Sequence, residues 1–259
     1  MFRSYIVCQF KRQSYYYFDT VMTVVGALLA AMIQYFVWDS ARKTGNVSLA
    51  SSEMISSYAI LATSYTLLMP ASEVSQTIEY QIKKGTIIYD FVRPLDYWKS
   101  VFLAQLGKSA YLLVFTIFPL TLFYLLVFRI NFAVGGVGHF AWALFTLLLG
   151  YGLSFIMGFF VGILSFVTFR NGGILSLYTG LVMIFGGGVL PITIYPNWLA
   201  SISKFTPFYA MQGVPLSALT IDGTHWGELG LQVLWLAVLI AITSLVYRRM
   251  RHQVEIAGG

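Results

Sequence analysis

Residues 139–167 read HFAWALFTLLLGYGLSFIMGFFVGILSFV, a run without a single Asp, Glu, Lys or Arg. A run of this kind has no place on a water-exposed element, and it exceeds the roughly 20 apolar residues that a straight helical crossing of a bilayer needs. It is one of six apolar runs, near 20–38, 54–72, 98–128, 139–167, 174–194 and 228–247. The whole chain agrees with this charge-free run. A soluble domain is roughly half apolar and a quarter charged. Here 58% of 259 residues are apolar and 10% are charged, too few charges to cover a globule. The expectation is an all-α, polytopic membrane protein with six transmembrane helices, folded as one membrane domain over 1–259. The third and fourth spans, longer than a straight crossing, are expected to tilt, kink or reach into the headgroups.

The net charge of +6 would suit a nucleic-acid binder in a soluble chain. In a membrane protein a basic excess is the positive-inside signal, so no nucleic-acid partner is expected. Six spans put both termini on one side. With both inside, Arg3, Lys11, Arg12, Lys83, Lys84, Arg93, Lys99, Arg170, Arg248, Arg249 and Arg251 fall on the cytoplasmic face. Only Arg42, Lys43, Arg129 and Lys204 fall outside, which fixes both termini as cytoplasmic in a plasma-membrane protein. The N-terminal stretch FRSYIVCQFKRQSYYYF lacks the form of a cleavable signal. Phe2, Ile6 and Phe10 share one side and Arg3 and Lys11 lie nearer the other, so 2–17 reads as an interfacial helix. An extension of the first span is the other reading. The lone Cys8 excludes an internal disulfide framework and reads as a plain apolar residue.

The long outer connection, 195–227, is too apolar for an ordinary wet loop. Pro191, Pro196, Pro207 and Pro215 forbid one long helix there, and Trp198, Ile202 and Phe205 fall on one helical face. Short helices half-sunk in the outer interface, re-entrant in form, are expected.

Chemistry is sparse. His139, His225 and His252 have no carboxylate or second His at ligand spacing, and no His-Glu-x-x-His or Gly-x-Ser-x-Gly motif occurs. No catalytic residue, metal or cofactor is therefore assigned to the chain. Gly107-Lys108-Ser109 mimics the end of a phosphate-binding loop, but Phe102 stands where its first Gly should be. Lys108 lies inside the third span, where it must snorkel to the interface, pair with a neighbouring helix or line a substrate path. Asp19, Asp39, Glu53 and Glu228 all sit at predicted span ends, which argues against a self-sufficient ion-driven carrier. Gly158 and Gly162 form a small-xxx-small contact in the fourth span, and Gly186, Gly187 and Gly188 precede Pro191 where the fifth should break or bend. Both glycine groups serve packing within the chain, a contact with a second subunit, or a flexible point near a substrate route.

The most polar run, EYQIKKGTIIYDFVRPLDYW at 79–98, interrupts all this. Val74, Ile78 and Ile82 recur every four residues as a narrow apolar stripe, flanked by Glu73, Gln76, Glu79, Gln81, Lys83 and Lys84. The two lysines suit a helix C-terminus, Gly85 a left-handed stop, and Arg93-Pro94 an extended re-entry into the third span. The spacing predicts a three-turn helix over 73–85, lying across the cytoplasmic face.

With Glu79, Gly85 and the Gly-Thr-Ile-Ile-Tyr-Asp-Phe-Val-Arg-Pro run at 85–94, the chain resembles the six-span permease subunits of ABC exporters of the second type that lack a fused ATPase. The Leu-Pro-Ile-Thr-Ile-Tyr-Pro-Asn-Trp-Leu segment is similar to that family's Pro-rich outer stretch. The resemblance implies that 73–85 is a coupling helix seated in a separate ATPase, through Val74, Ile78, Glu79, Ile82, Lys83, Gly85, Arg93 and Pro94. It further implies that 2–17 is a connecting helix, and that 195–227 caps the path. Two ATPase subunits binding ATP and Mg, and a second permease, identical or related, would complete the transporter. From the residues alone two other classes remain, a stand-alone ion-coupled carrier and an intramembrane lipid-modifying enzyme using His139 or His225.

Overall fold

The computed structural model describes residues 2–43, 49–91, 95–127, 137–168, 171–188, 191–220 and 226–257. Every element among them is helical. Helix α1, Phe2–Ser14, precedes α2, Tyr17–Lys43, and α3, Leu49–Leu68. Two short helices follow, α4 at Ala71–Lys83 and α5 at Ile87–Phe91. A long helix then runs as α6, Tyr97–Leu112, a π-helical turn at Leu113–Ile117, and α7, Phe118–Val127. Helix α8, Val137–Ile163, ends in the short α9, Ser165–Thr168. Helix α10 spans Gly172–Phe185, a 3₁₀ turn Ile192–Ile194, and α11 Asn197–Lys204. A second π turn, Tyr209–Gly213, leads into α12, Val214–Thr220, and α13, Trp226–Ala257, closes the chain.

Four helices are long and apolar enough to cross a bilayer: Tyr17–Val37, Tyr97–Val127, Gly138–Thr168 and Trp226–Arg251. Of the six expected spans, the second and fifth do not reach that standard among the described residues. Helix α10 has 14 residues and covers about 21 Å, short of a hydrocarbon core of roughly 30 Å. It stops at Gly186 because Gly187 takes φ +71°, the left-handed value that glycine adopts at no steric cost.

Helix α8 is the hub: 56% of its apolar window is buried, against 17–22% for the other three. The reason lies in its glycines. A Cβ at Gly150 would run into the Tyr65 hydroxyl, the Met211 carbonyl and Pro215, and one at Gly158 would run into the backbone of Ala71. These positions let the 209–213 turn, α12 and α4 lie directly against α8, and admit the Tyr65 hydroxyl of α3. On the other side of the molecule Ala27 and Ala31 let α2 approach Ile60 of α3 and Leu120 and Tyr124 of α7.

Both π turns precede a proline. Pro119 and Pro215 lack the N–H that would bond the carbonyl four residues earlier, Phe115 and Met211, and the backbone widens around each freed carbonyl. The Met211 carbonyl is claimed by the Tyr65 hydroxyl of α3 at 3.1 Å. The third span is thus a continuous helix with a π turn in its middle. The outer segment differs from a set of half-sunk helices in one respect: residues 209–216 are buried core, packed against α3 and α8. Helix α11 instead exposes Trp198 and Ile202, with Phe205 exposed at its C-cap.

Candidate functional site

Helix α4 begins after Pro70, carries Glu73 in its first turn and Lys83 in its last, and ends at Gly85 with φ +67°. The acid and base complement the helix dipole, and Gly85 turns the chain into α5 without a Cβ clash. Val74 and Ile78 are 1% and 0% exposed. They sit in a cluster with Phe155, Phe159 and Ile163 of α8, Tyr97 of α6 and Met250 of α13, and Ile82 packs at its edge. Gly162 makes room for this, since a Cβ there would come within 2.9 Å of Ile78. Gly158 and Gly162 are therefore used within the chain, to seat α4 on α8. Burying side chains such as Val74 and Ile78 is worth roughly 1.5–3 kcal/mol each.

The polar residues of α4 are also tied inward. Glu73 pairs with Lys108 of α6, and Gln105 donates to its other carboxylate oxygen at 3.0 Å. Lys108 thus meets a carboxylate on a neighbouring helix, one of the three solutions open to it from sequence. Glu79 pairs with Lys83 and accepts from the Asn171 backbone N–H at 3.4 Å. The wholly buried Asn171 amide donates to the Ser75 carbonyl and hydroxyl at 3.2 and 2.7 Å. Gln81 accepts from the Tyr97 hydroxyl at 2.6 Å and donates to Asp90 at 3.1 Å, bracing the turn between α4 and α6.

What α4 and its C-cap leave outward is Gln76, Thr77, Tyr80, Lys83 and Lys84, continued by Ile88 and Tyr89 of α5. Tyr80, Ile88 and Tyr89 are 62%, 52% and 73% exposed, with the Lys84 ammonium 5.9 Å from the Tyr80 ring centroid. Beside this face opens a cleft of about 730 Å³ between α1, α4 and α6, with Arg12, Asp19, Glu73, Thr77, Tyr80 and Lys108 on its walls. Helix α1 forms its far side by packing on α6, where Gly107 admits the Ile6 carbonyl and Phe10 meets Tyr111 edge-on at 5.6 Å.

Of the other residues singled out from sequence, Gly186 caps α10, Gly187 accepts a 2.7 Å hydrogen bond from the Tyr58 hydroxyl, and Gly188 lies beneath Gln212. Arg93 and Pro94 lie outside the described residues. Sequence reasoning passed over Asn171, Gln105 and Ser75, and named Gln81 only as a polar flank of the stripe. Each is a neutral polar residue with no periodic or motif signal, and only the fold brings it to α4.

These features define an all-helical, multi-pass membrane protein with a short amphipathic helix docked on its most buried span. Residues 50–258 match the family described as ABC-2 family transporter protein. The match covers most of the chain, which therefore belongs to the ABC-2 transporter family, as a membrane permease component of an ABC-type transporter. Permeases of this family typically pair with ATPase subunits. No curated protein matches the sequence.

Proposed function

We propose that this chain is the permease subunit of an ATP-driven exporter, and that α4 is the helix through which a separate ATPase subunit acts on it. The observation that carries the proposal is the two-sidedness of α4. Its apolar stripe, glycine contacts and ion pair fix it to α8 and α6, while Thr77, Tyr80 and Lys84 face outward. A force applied to that outer face is delivered to two long helices at once. The contact with the ATPase then falls on Thr77, Tyr80, Lys84, Ile88 and Tyr89. Val74, Ile78 and Glu79 serve the other half of the task, holding α4 to the membrane helices. The groove between α1 and α4 is the matching recess.

In this reading two ATPase subunits hold ATP and Mg, and a second permease, identical or related, completes the path. Six spans cross the plasma membrane, with α3 and α10 as the two shorter ones, and both termini are cytoplasmic. The packing of Met250 on the Val74–Ile78 cluster supports that orientation, because it brings Arg248 and Arg249 to the same end of the molecule as Lys83 and Lys84. The exposed Trp198 and Ile202 of α11 and Phe205 at its C-cap suit the outer interface.

The test is copurification. The tagged chain, expressed in its native host, should retain an ABC ATPase subunit through affinity purification, identified by mass spectrometry. Tyr80→Asp with Lys84→Glu should reduce recovery at least tenfold while the permease keeps its yield and melting temperature. Undiminished recovery would remove α4's outer face as the contact.

A further inference from the structure

Glu228 opens α13, and Met250, 22 residues on, packs against α4, so the two are about 33 Å apart along one helix. That is a bilayer's hydrocarbon thickness. At the Glu228 end lies a second cavity of about 360 Å³, enclosed by α3, the 191–204 segment, the second π turn and α13. Its walls carry Tyr58, Tyr195 and Tyr209, together with Lys204 and Glu228. Two of the tyrosines are fixed. Tyr209 donates to Glu228 at 2.8 Å, and Tyr58 donates to the Gly187 carbonyl at 2.7 Å. Among the described residues Lys204 and Glu228 face the same cavity without forming an ion pair with each other.

A pocket of this size with aromatic walls and a few convergent polar groups has the form of a small-molecule site. Its chemistry narrows the ligand. Tyr58 and Tyr209 are nearly buried, so the partly exposed Tyr195 ring is the one that attracts an alkylammonium through its quadrupole, and the Glu228 carboxylate adds a counter-charge. Lys204 supplies a cation for a phosphate as a point charge. A ligand bearing only one sign of charge would meet one like charge in the cavity. We propose that this outer pocket binds an alkylammonium–phosphate zwitterion, the chemistry of phosphocholine and phosphoethanolamine headgroups. The proposal stands apart from the ATPase reading, since it concerns the opposite end of α13.

The source of the headgroup, free or lipid-borne, is separated by two arms of one experiment. In the first, the chain in nanodiscs of phosphatidylglycerol alone is titrated by calorimetry with glycerophosphocholine and glycerophosphoethanolamine. In the second, the chain is extracted from mixed bilayers containing phosphatidylcholine, phosphatidylethanolamine and phosphatidylglycerol, and retained lipid is counted by native mass spectrometry. Glu228→Gln keeps an oxygen to accept from Tyr209 and removes the charge; Lys204→Met keeps the stem and removes the ammonium. Saturable binding in the first arm assigns a free ligand, and preferential retention of zwitterionic lipid in the second assigns a lipid. Either result supports the site if each variant weakens it at least tenfold while glycerol phosphate and tetramethylammonium bind less tightly. No zwitterion binding in either arm, or binding that survives both variants, overturns it.

Discussion

Lys108 sits well inside an apolar helix, where an unpartnered ammonium costs several kcal/mol. Its partner, Glu73, is on the helix that carries the proposed coupling role, and Gln105 fills the other carboxylate oxygen. Both charged side chains keep about a third of their exposure, so the pair's own net worth is modest and the larger effect lies in breaking it. Lys108→Met should destabilise the purified permease by about 1–3 kcal/mol, because Glu73 is left without its cation. Adding Glu73→Leu should return part of that loss. Thermal melts of the two single variants and the double variant measure this directly; strictly additive costs would mean that the two residues do not act together. From sequence, Lys108 was recognisable as a residue needing an explanation. Glu73 was legible only as one polar flank of a stripe, since nothing in the spacing connects residue 73 to residue 108.

At the scale of elements, the apolar stripe and Gly85 made α4 readable residue by residue. Periodicity, however, gives a helix a face and not a neighbour. The resemblance assigned Val74 and Ile78 to an ATPase groove, whereas in the fold they lie in the chain's own core against α8. Gly158 and Gly162 hold the physical reason, because only an absent side chain lets α4 come so close. The breaks of the fifth span and the outer segment were legible in kind, while the third span was expected to kink only from its length and Pro119 drew no reading. Prolines and glycines marked them, but whether Pro119 or Pro215 ends, kinks or widens a helix depends on what satisfies the freed carbonyl. At Pro215 that partner is Tyr65, which is distant in sequence. Tyr65→Phe should cost about 1–3 kcal/mol by leaving the Met211 carbonyl buried without a donor. In a Pro215→Ala background the cost should fall, since the restored Ala N–H can reach that carbonyl. Chemical or thermal denaturation of the four proteins in the cycle provides the measurement, and an unchanged cost would remove the proline as the origin of the π turn.

The whole molecule is a membrane bundle organised around α8, and its class was legible from composition and apolar runs alone. Span count was less so. The fifth run continues to 194 in hydropathy, but Gly187 stops its helix far earlier, and the buried π turn and α12 fill the space beyond. With both termini inside, single cysteines placed in a Cys8→Ser background at Lys84 and at Lys204 should label from opposite sides of intact cells. A membrane-impermeant maleimide should modify the Lys204 position in whole cells and the Lys84 position only after permeabilisation; labelling of both from outside would overturn the orientation.

If the outward face of α4 meets an ATPase while its inward face holds the membrane helices, the two faces differ in what they touch. A photo-crosslinking amino acid placed at Tyr80, at Ile78 or at Trp198 reads this in the assembled transporter. A crosslink to the ATPase is expected from position 80, none to it from the buried position 78, and none from position 198. No crosslink from position 80 in a complex that still copurifies, or an equal crosslink from position 198, would contradict it.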